Sequence, residues 1–214
     1  AVKYDGDGAG NEATINALDD AIAATGALKP GQVPNAPDFN VTDINAMSHH
    51  LYADYLNQGK TVVLEIFNST CTPCNSIARL LQPLNEEWGG GSGDVVFFEM
   101  TDQITDNNSL LFTFQEDYDH TFPAISNDGG SLAAVAPYKD GTFGPWVAAP
   151  TFVVISPAGL VNYDIKGANN QATIDAIDAA IAATGATKPP PPSVAPDFTV
   201  TDITGQLHQL YADY

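Results

Sequence analysis

Apolar residues gather into three short, nearly continuous runs, at Thr61–Phe67, 95–100 and Thr151–Ile155, each rich in Val, Ile or Phe. Runs of this kind, without polar alternation, predict strands covered on both faces rather than strands with one wet side. Behind Cys71 the period changes. Ile77, Leu80, Leu81, Leu84 and Trp88 recur at helical spacing, which predicts an amphipathic helix kinked at Pro83. Asn108–Tyr118 is a second helix candidate. Pro157-Ala158-Gly159 predicts a turn that brings 160–165 back antiparallel to Thr151–Ile155. A closing helix follows, with Ile174, Ile177 and Ile181 on one face and Gly185 as its stop. Strand, helix and strand followed by a hairpin and a helix predict an α/β fold, a mixed central sheet with helices on both faces.

The two ends of the chain carry the same pattern. Residues 4–55 align without a gap on residues 163–214, an offset of 159 residues (163 less 4). Roughly three positions in five are identical, and a period this long reads as an array of whole domains rather than a solenoid of small units. Ile15, Leu18, Ile22 and Gly26 match Ile174, Ile177, Ile181 and Gly185, so residues 1–28 predict a strand at 2–5 and a helix like the closing one. The expected organisation is a C-terminal strand and helix of a preceding repeat at 1–29 and a linker at 30–35. A complete domain at 36–188, a Pro-rich linker at 189–194 and the N-terminal segment of a next repeat at 195–214 follow. Pro189-Pro190-Pro191-Pro192 predicts a short, stiff polyproline II spacer. The terminal pieces are expected to pack against neighbouring copies of the same repeat, as in a fibre or filament, or to fold back on the central domain.

Lys and Arg total 7 against 26 Asp and Glu, a net charge of −19, which disfavours nucleic acid and anionic membrane surfaces as partners. No stretch has the apolar length of a membrane span, so no membrane insertion is expected. Low basic content, repeated domains and the proline joint lean towards a secreted, extracellular or cell-surface setting. Asn40-Val41-Thr42, Asn68-Ser69-Thr70 and Asn107-Asn108-Ser109 match the glycosylation pattern, a frequent chance match, and Thr199 replaces Asn40 in the second copy. Asp5-Gly6-Asp7-Gly8 hints at calcium. Its copy reads Asp164-Ile165-Lys166-Gly167 and Asn16 stands where the last loop ligand would be Glu, which favours a solvated turn.

Cys71-Thr72-Pro73-Cys74 is the only cysteine pair and sits where a buried strand passes into a helix. A thiol at a helix N-terminus meets unpaired N–H groups and the positive end of the dipole, which favour the thiolate. Cys71 is then the exposed attacking sulfur and Cys74, one turn in, the buried resolving partner. A zinc site needs two further ligands, and His49, His50, His120 and His208 do not form a convincing set. No metal or cofactor is expected. The pair can equally be a static disulfide in an oxidising compartment.

These residues resemble the thioredoxin-like superfamily, in particular the redoxin or TlpA-like branch of secreted bacterial proteins. The resemblance covers about residues 36–186 through Ala36-Pro37-Asp38-Phe39, the run Thr61–Phe67 ahead of the pair, Phe122-Pro123-Ala124-Ile125-Ser126-Asn127-Asp128, and Ala149-Pro150-Thr151-Phe152-Val153-Val154. It implies a three-layer thioredoxin-like sandwich and thiol–disulfide exchange with a protein disulfide as substrate. It also implies a cis Pro150 facing the dithiol, and Glu65 as a buried acid that helps deprotonate Cys74. Glu65 can also be a paired carboxylate and Pro150 a mere loop former. Thr70 stands where the family usually has Trp, Asn75 replaces the usual residue after the pair, and Arg79 takes the place of the helix proline, which is displaced to Pro83. Leu64 and Asn68 occupy positions where a peroxiredoxin has Pro and Thr, which sets peroxidase activity aside. Two functions follow: a structural module of a tandem-repeat fibre carrying the Cys71–Cys74 pair, or an active secreted thiol–disulfide oxidoreductase.

Overall fold

The computed structural model describes residues 18, 34–163, 170–190 and 198–209. The strand and helix expected over 1–28 (Leu18 apart), the Asp5–Gly8 turn and the latter half of the proline run lie outside the described residues. In chain order the strands are β1 (Asn40–Thr42), β2 (Ser48–His50), β3 (Thr61–Phe67), β4 (Val95–Thr101), β5 (Ala124–Ile125), β6 (Thr151–Ile155), β7 (Val161–Tyr163), β8 (Thr199–Thr201) and β9 (Leu207–Gln209). The helices are α1 (Thr72–Glu87), α2 (Asn108–Tyr118), α3 (Ser131–Lys139) and α4 (Gln171–Ala183).

The three apolar runs form the middle of one mixed sheet in the order β5-β4-β3-β6-β7. β3 pairs parallel with β4 and antiparallel with β6, so both of its edges are hydrogen-bonded. Every residue of β3, β4 and β6 is buried, because layers cover both faces. On one face, Ile77, Leu81, Leu84 and Trp88 of α1 and Ile174, Ile177 and Ile181 of α4 pack on Val63, Phe97, Phe152 and Val154. On the other, Val62, Leu64, Ile66, Phe98 and Val153 meet Phe39 and Val41 of the opening segment and Val135 and Tyr138 of α3. The helix-covered α/β sandwich expected from the pattern is therefore the observed one. α1 runs through Pro83 as one element. Pro83 and Arg79 both lie on its exposed side, where water can replace the missing N–H.

Among the pieces with no counterpart in the hydrophobic pattern are α3, a π-helical turn at Leu51–Tyr55, and the hairpin β1–β2. The hairpin turn is built by Asp43, whose Oδ1 accepts from the N–H groups of Asn45 and Met47 at 2.8 Å each. Its Oδ2 lies 3.1 Å from His49 Nε2, and the far nitrogen of His49 lies 2.5 Å from the Tyr55 hydroxyl. Within this turn Ala46 is held at φ 63°, a region where a Cβ crowds the backbone.

The hairpin β8–β9 repeats this arrangement at the same register, Thr199 opposite Gln209 as Asn40 is opposite His50. Asp202 Oδ1 accepts from Thr204 and Gln206 N–H at 2.8 and 3.0 Å, and Oδ2 lies 3.2 Å from His208 Nε2. At the strained position the second copy has Gly205, at φ 86°. Ala46→Gly should therefore stabilise the protein by about 0.5–1 kcal/mol, the Cβ strain outweighing the extra chain entropy of glycine. Urea unfolding of the two proteins checks it, and an unchanged or lower midpoint would refute the strain.

Candidate active site

Strand β3 ends at Phe67, and three loop residues later Cys71 caps α1 with an extended backbone, φ −75° and ψ 111°. Pro73 sits in the first turn, where its missing N–H costs nothing. The Cys74 N–H donates to Cys71 Sγ at 3.2 Å, and the two sulfurs are joined in a disulfide with Cα atoms 5.2 Å apart. Cys71 is half-buried, whereas Cys74 is closed off among Phe67, Ala78, Leu111, Phe114 and Ala124. The Ala149–Pro150 peptide is cis, and the Ala149 carbonyl oxygen lies 3.5 Å from Cys71 Sγ. Register explains the meeting: Ile66 pairs with Thr151, so β6 begins beside the end of β3 and its preceding proline falls next to the dithiol loop.

That loop is held by a residue the sequence reading did not single out. Buried Asp106 accepts from the Ser69 N–H and hydroxyl at 2.9 and 2.8 Å, and from the Thr101 hydroxyl at 2.8 Å. The carboxylate thereby ties the segment before Cys71 to the end of β4. No spacing rule marks it, because its partners lie on separate elements.

Glu65 lies on the sheet face that α1 covers, between Val63 and Phe67. It is 3 % exposed, and neither carboxyl oxygen meets a hydrogen-bond partner among the described residues. Its register neighbour on β4 is another acid, Glu99, and on β6 it faces Phe152. Burial, and then the Glu99 charge, push the Glu65 carboxyl well above the ordinary carboxylate range, which favours its protonated form. Glu99 itself is fully buried and contacts His120 Nδ1, while His120 Nε2 donates to the Ala78 carbonyl at 2.7 Å. Burial opposes a charge on His120, but Glu99, the Ala78 carbonyl and Asp119 outweigh it and raise its pKa. The structure thus brings Cys71, Cys74 and Pro150 together at the end of β3, places Glu65 beneath α1, and adds Glu99 and His120. Among the described residues no group of three or more His, Cys, Asp or Glu is placed to hold a metal ion.

Folded Glu65 binds its proton more tightly than an unfolded glutamate of pKa 4.5, and folded His120 more tightly than an unfolded histidine of pKa 6.5. Both contributions are therefore complete at low pH and are lost as pH rises through the folded values. The oxidised protein should lose stability between about pH 5 and about pH 8, and Glu65→Gln should flatten that slope. Urea midpoints measured across the range test this, and parallel profiles for parent and variant would contradict it.

A family model described as the AhpC/TSA family matches residues 34–164, more than half of the chain. Among solved structures, a thiol:disulfide interchange protein from Chlorobium tepidum TLS is 19% identical with TM-score 0.57, covering 72% of this chain and 97% of that one. A thio-disulfide isomerase from Thermus thermophilus is 19% identical with TM-score 0.54, covering 75% and 99%. A secreted disulfide oxidoreductase from Mycobacterium tuberculosis is 20% identical with TM-score 0.50, covering 68% and 95%. At these identities the likeness establishes the fold, which is thioredoxin-like. No curated protein matches significantly. With the family match spanning β1 to β7 and the whole dithiol site, the chain belongs to the AhpC/TSA family.

Proposed function

We propose that the domain is a thiol–disulfide oxidoreductase acting on disulfides of polypeptides outside the cell. The observation that carries this reading is the asymmetry of the pair: Cys71 half-buried at a helix N-terminus against the cis-proline carbonyl, and Cys74 buried behind it. In the reduced state the Cys74 N–H and the helix dipole favour a Cys71 thiolate. That thiolate attacks a substrate disulfide, forming a mixed disulfide and releasing the first substrate sulfur as a thiolate that takes a proton from water. Glu65, which gives up its proton to water once the pair is reduced, then takes the proton of Cys74, and the Cys74 sulfur bonds to Cys71 Sγ. The bond from Cys71 to the substrate breaks, and the second substrate sulfur leaves with a proton from water. The two cysteines are oxidised, the substrate is reduced, and Glu65 ends protonated, the form that its burial favours. Pro150 shapes the groove in which the substrate chain lies. The extracellular setting is supported by the low basic content, 7 Lys and Arg against 26 acids.

Turnover of a small peptide disulfide should fall to the background rate in Cys71→Ser, with the fold intact by circular dichroism. Parent-like turnover in that variant would end the enzymatic reading.

A second reading, compatible with the first, is a module of an extracellular tandem-repeat fibre, and the β8–β9 hairpin favours it. Phe198 and Val200 are 51% and 50% exposed, whereas their counterparts Phe39 and Val41 are 7% and 3% exposed. A hairpin that elsewhere in the same chain lies in a core is here without one, which suits packing into a further copy of the repeat. Val200→Asp should then reduce the assembly of purified chains seen by sedimentation and electron microscopy. Dispersed monomers in the parent would rule the fibre out.

A further inference from the structure

Disulfide exchange leaves Glu99 and His120 without a role, although both are buried and one carries a second acid into the sheet. We infer that these two are positioning residues for the proton of the exchange: they hold one buried proton beside Glu65 and so set how tightly Glu65 keeps the proton that Cys74 releases. The inference rests on the exchange reading above.

The proton count follows from geometry. Both side chains of the pair are 0% exposed, and each ring nitrogen meets a protein oxygen. The Ala78 carbonyl can only accept, so His120 Nε2 carries a hydrogen. Nδ1 faces Glu99 Oε1, and two lone pairs in that position would repel, so a second proton lies between ring and carboxylate. Gln115 Nε2 completes the cage, 3.4 Å from Glu99 Oε2 and 2.5 Å from the Phe122 carbonyl. The pair is neutral overall but polar, with its negative end on the strand beside Glu65, at parallel register. Its other end is bonded to the carbonyl of Ala78, one turn along α1 from Cys74.

The remaining groups around the pair are few. Cys74, Ala78 and Arg79 come from α1, with Arg79 exposed and turned over the Tyr118 ring at 5.5 Å. α2 supplies Gln115 and Tyr118, β6 supplies uncharged Phe152, β5 supplies Ala124, and Asp119 adjoins His120 in the chain. Phe152 is in register with Glu65 on the other side but is uncharged, so Glu99 is the one charged side chain in register with Glu65. On top of burial, the charge balance of Glu99 and His120 therefore adjusts the electrostatic cost of ionising Glu65.

Opposite substitutions should act in opposite directions. Glu99→Gln removes the like charge beside Glu65, so Glu65 should release its proton at lower pH. His120→Gln removes the compensating cation and leaves the Glu99 charge bare, so Glu65 should hold its proton to higher pH. The experiment equilibrates the full chain with dithiothreitol from about pH 5 to about pH 9 and reads the oxidised fraction by thiol labelling, with Glu65→Gln as reference. The bend in the profile that Glu65→Gln abolishes should move by about one pH unit, down in Glu99→Gln and up in His120→Gln. Merely structural damage would not split the two variants in this way. Coincident profiles, or shifts of the same sign, would overturn the inference.

This equilibrium needs no turnover, so an inactive parent would defeat the exchange reading without deciding this test. If either variant fails to fold, the parent with ¹⁵N-labelled histidine decides the matter. A doubly protonated His120 ring at neutral pH is expected, and a neutral tautomer overturns the inference.

Discussion

β3 is hydrogen-bonded along both edges and covered on both faces, and every part of the dithiol site is located by that strand. Its parallel edge brings β4, with Glu99 beside Glu65 and Thr101 at the exit that Asp106 ties to the Cys71 loop. Its antiparallel edge brings β6, whose first residue pairs with Ile66 and so delivers Pro150 to the same end. A strand slip of one residue would turn Glu65 to the opposite face and draw the proline away from the sulfurs. The register of one buried strand thus fixes three contributions that are far apart in the chain.

A sheet covered on both faces makes each polar side chain on it expensive. This one carries two neighbouring carboxyls, an arrangement a domain built for stability alone would replace with apolar residues. The two are treated differently. Glu99 is given an imidazole and an amide, while Glu65 is left with no hydrogen-bond partner among the described residues. An acid buried in this way is poised to change its proton rather than to strengthen the fold, and it lies on the sheet face that α1 and Cys74 cover. By contrast Asp106 and Asp43, also buried, have their oxygens engaged by N–H, hydroxyl or imidazole groups and hold loops in place.

Much of this was legible in the residues. Nearly continuous apolar runs mark the three central strands because two-sided burial leaves no polar period, and Ile174, Ile177 and Ile181 mark α4 because one face of it is buried. The Cys71–Cys74 spacing signals a helix start, and resemblance pointed to Glu65 and Pro150. Glu99 carries the same local signal as Glu65, an acid inside an apolar strand, and the same desolvation reasoning applied to it would have found it. His120 and Asp106 could not be found this way, since their partners are set by tertiary contacts. α3 escaped because its nine residues, interrupted by Pro137, are mostly small and show no apolar stripe.

The two hairpins separate what is encoded locally from what is not. β8–β9 forms the same register and the same Asp-centred turn as β1–β2 although its apolar side chains are exposed. The turn chemistry of Asp43 and Asp202 is therefore sufficient to describe the hairpin's shape, and the core is not needed to impose it. Burial adds something different. Val41 and Phe39 seal the sheet face opposite the dithiol, where Phe98 meets the rings of Phe39, His49 and Tyr55. That face must be closed for β3 and β4 to stay dry on both sides, and the proton affinity of Glu65 depends on a dry sheet. The strands of the opening hairpin lie on the far face of the sheet, yet they belong to the chemistry of the site through the water they exclude.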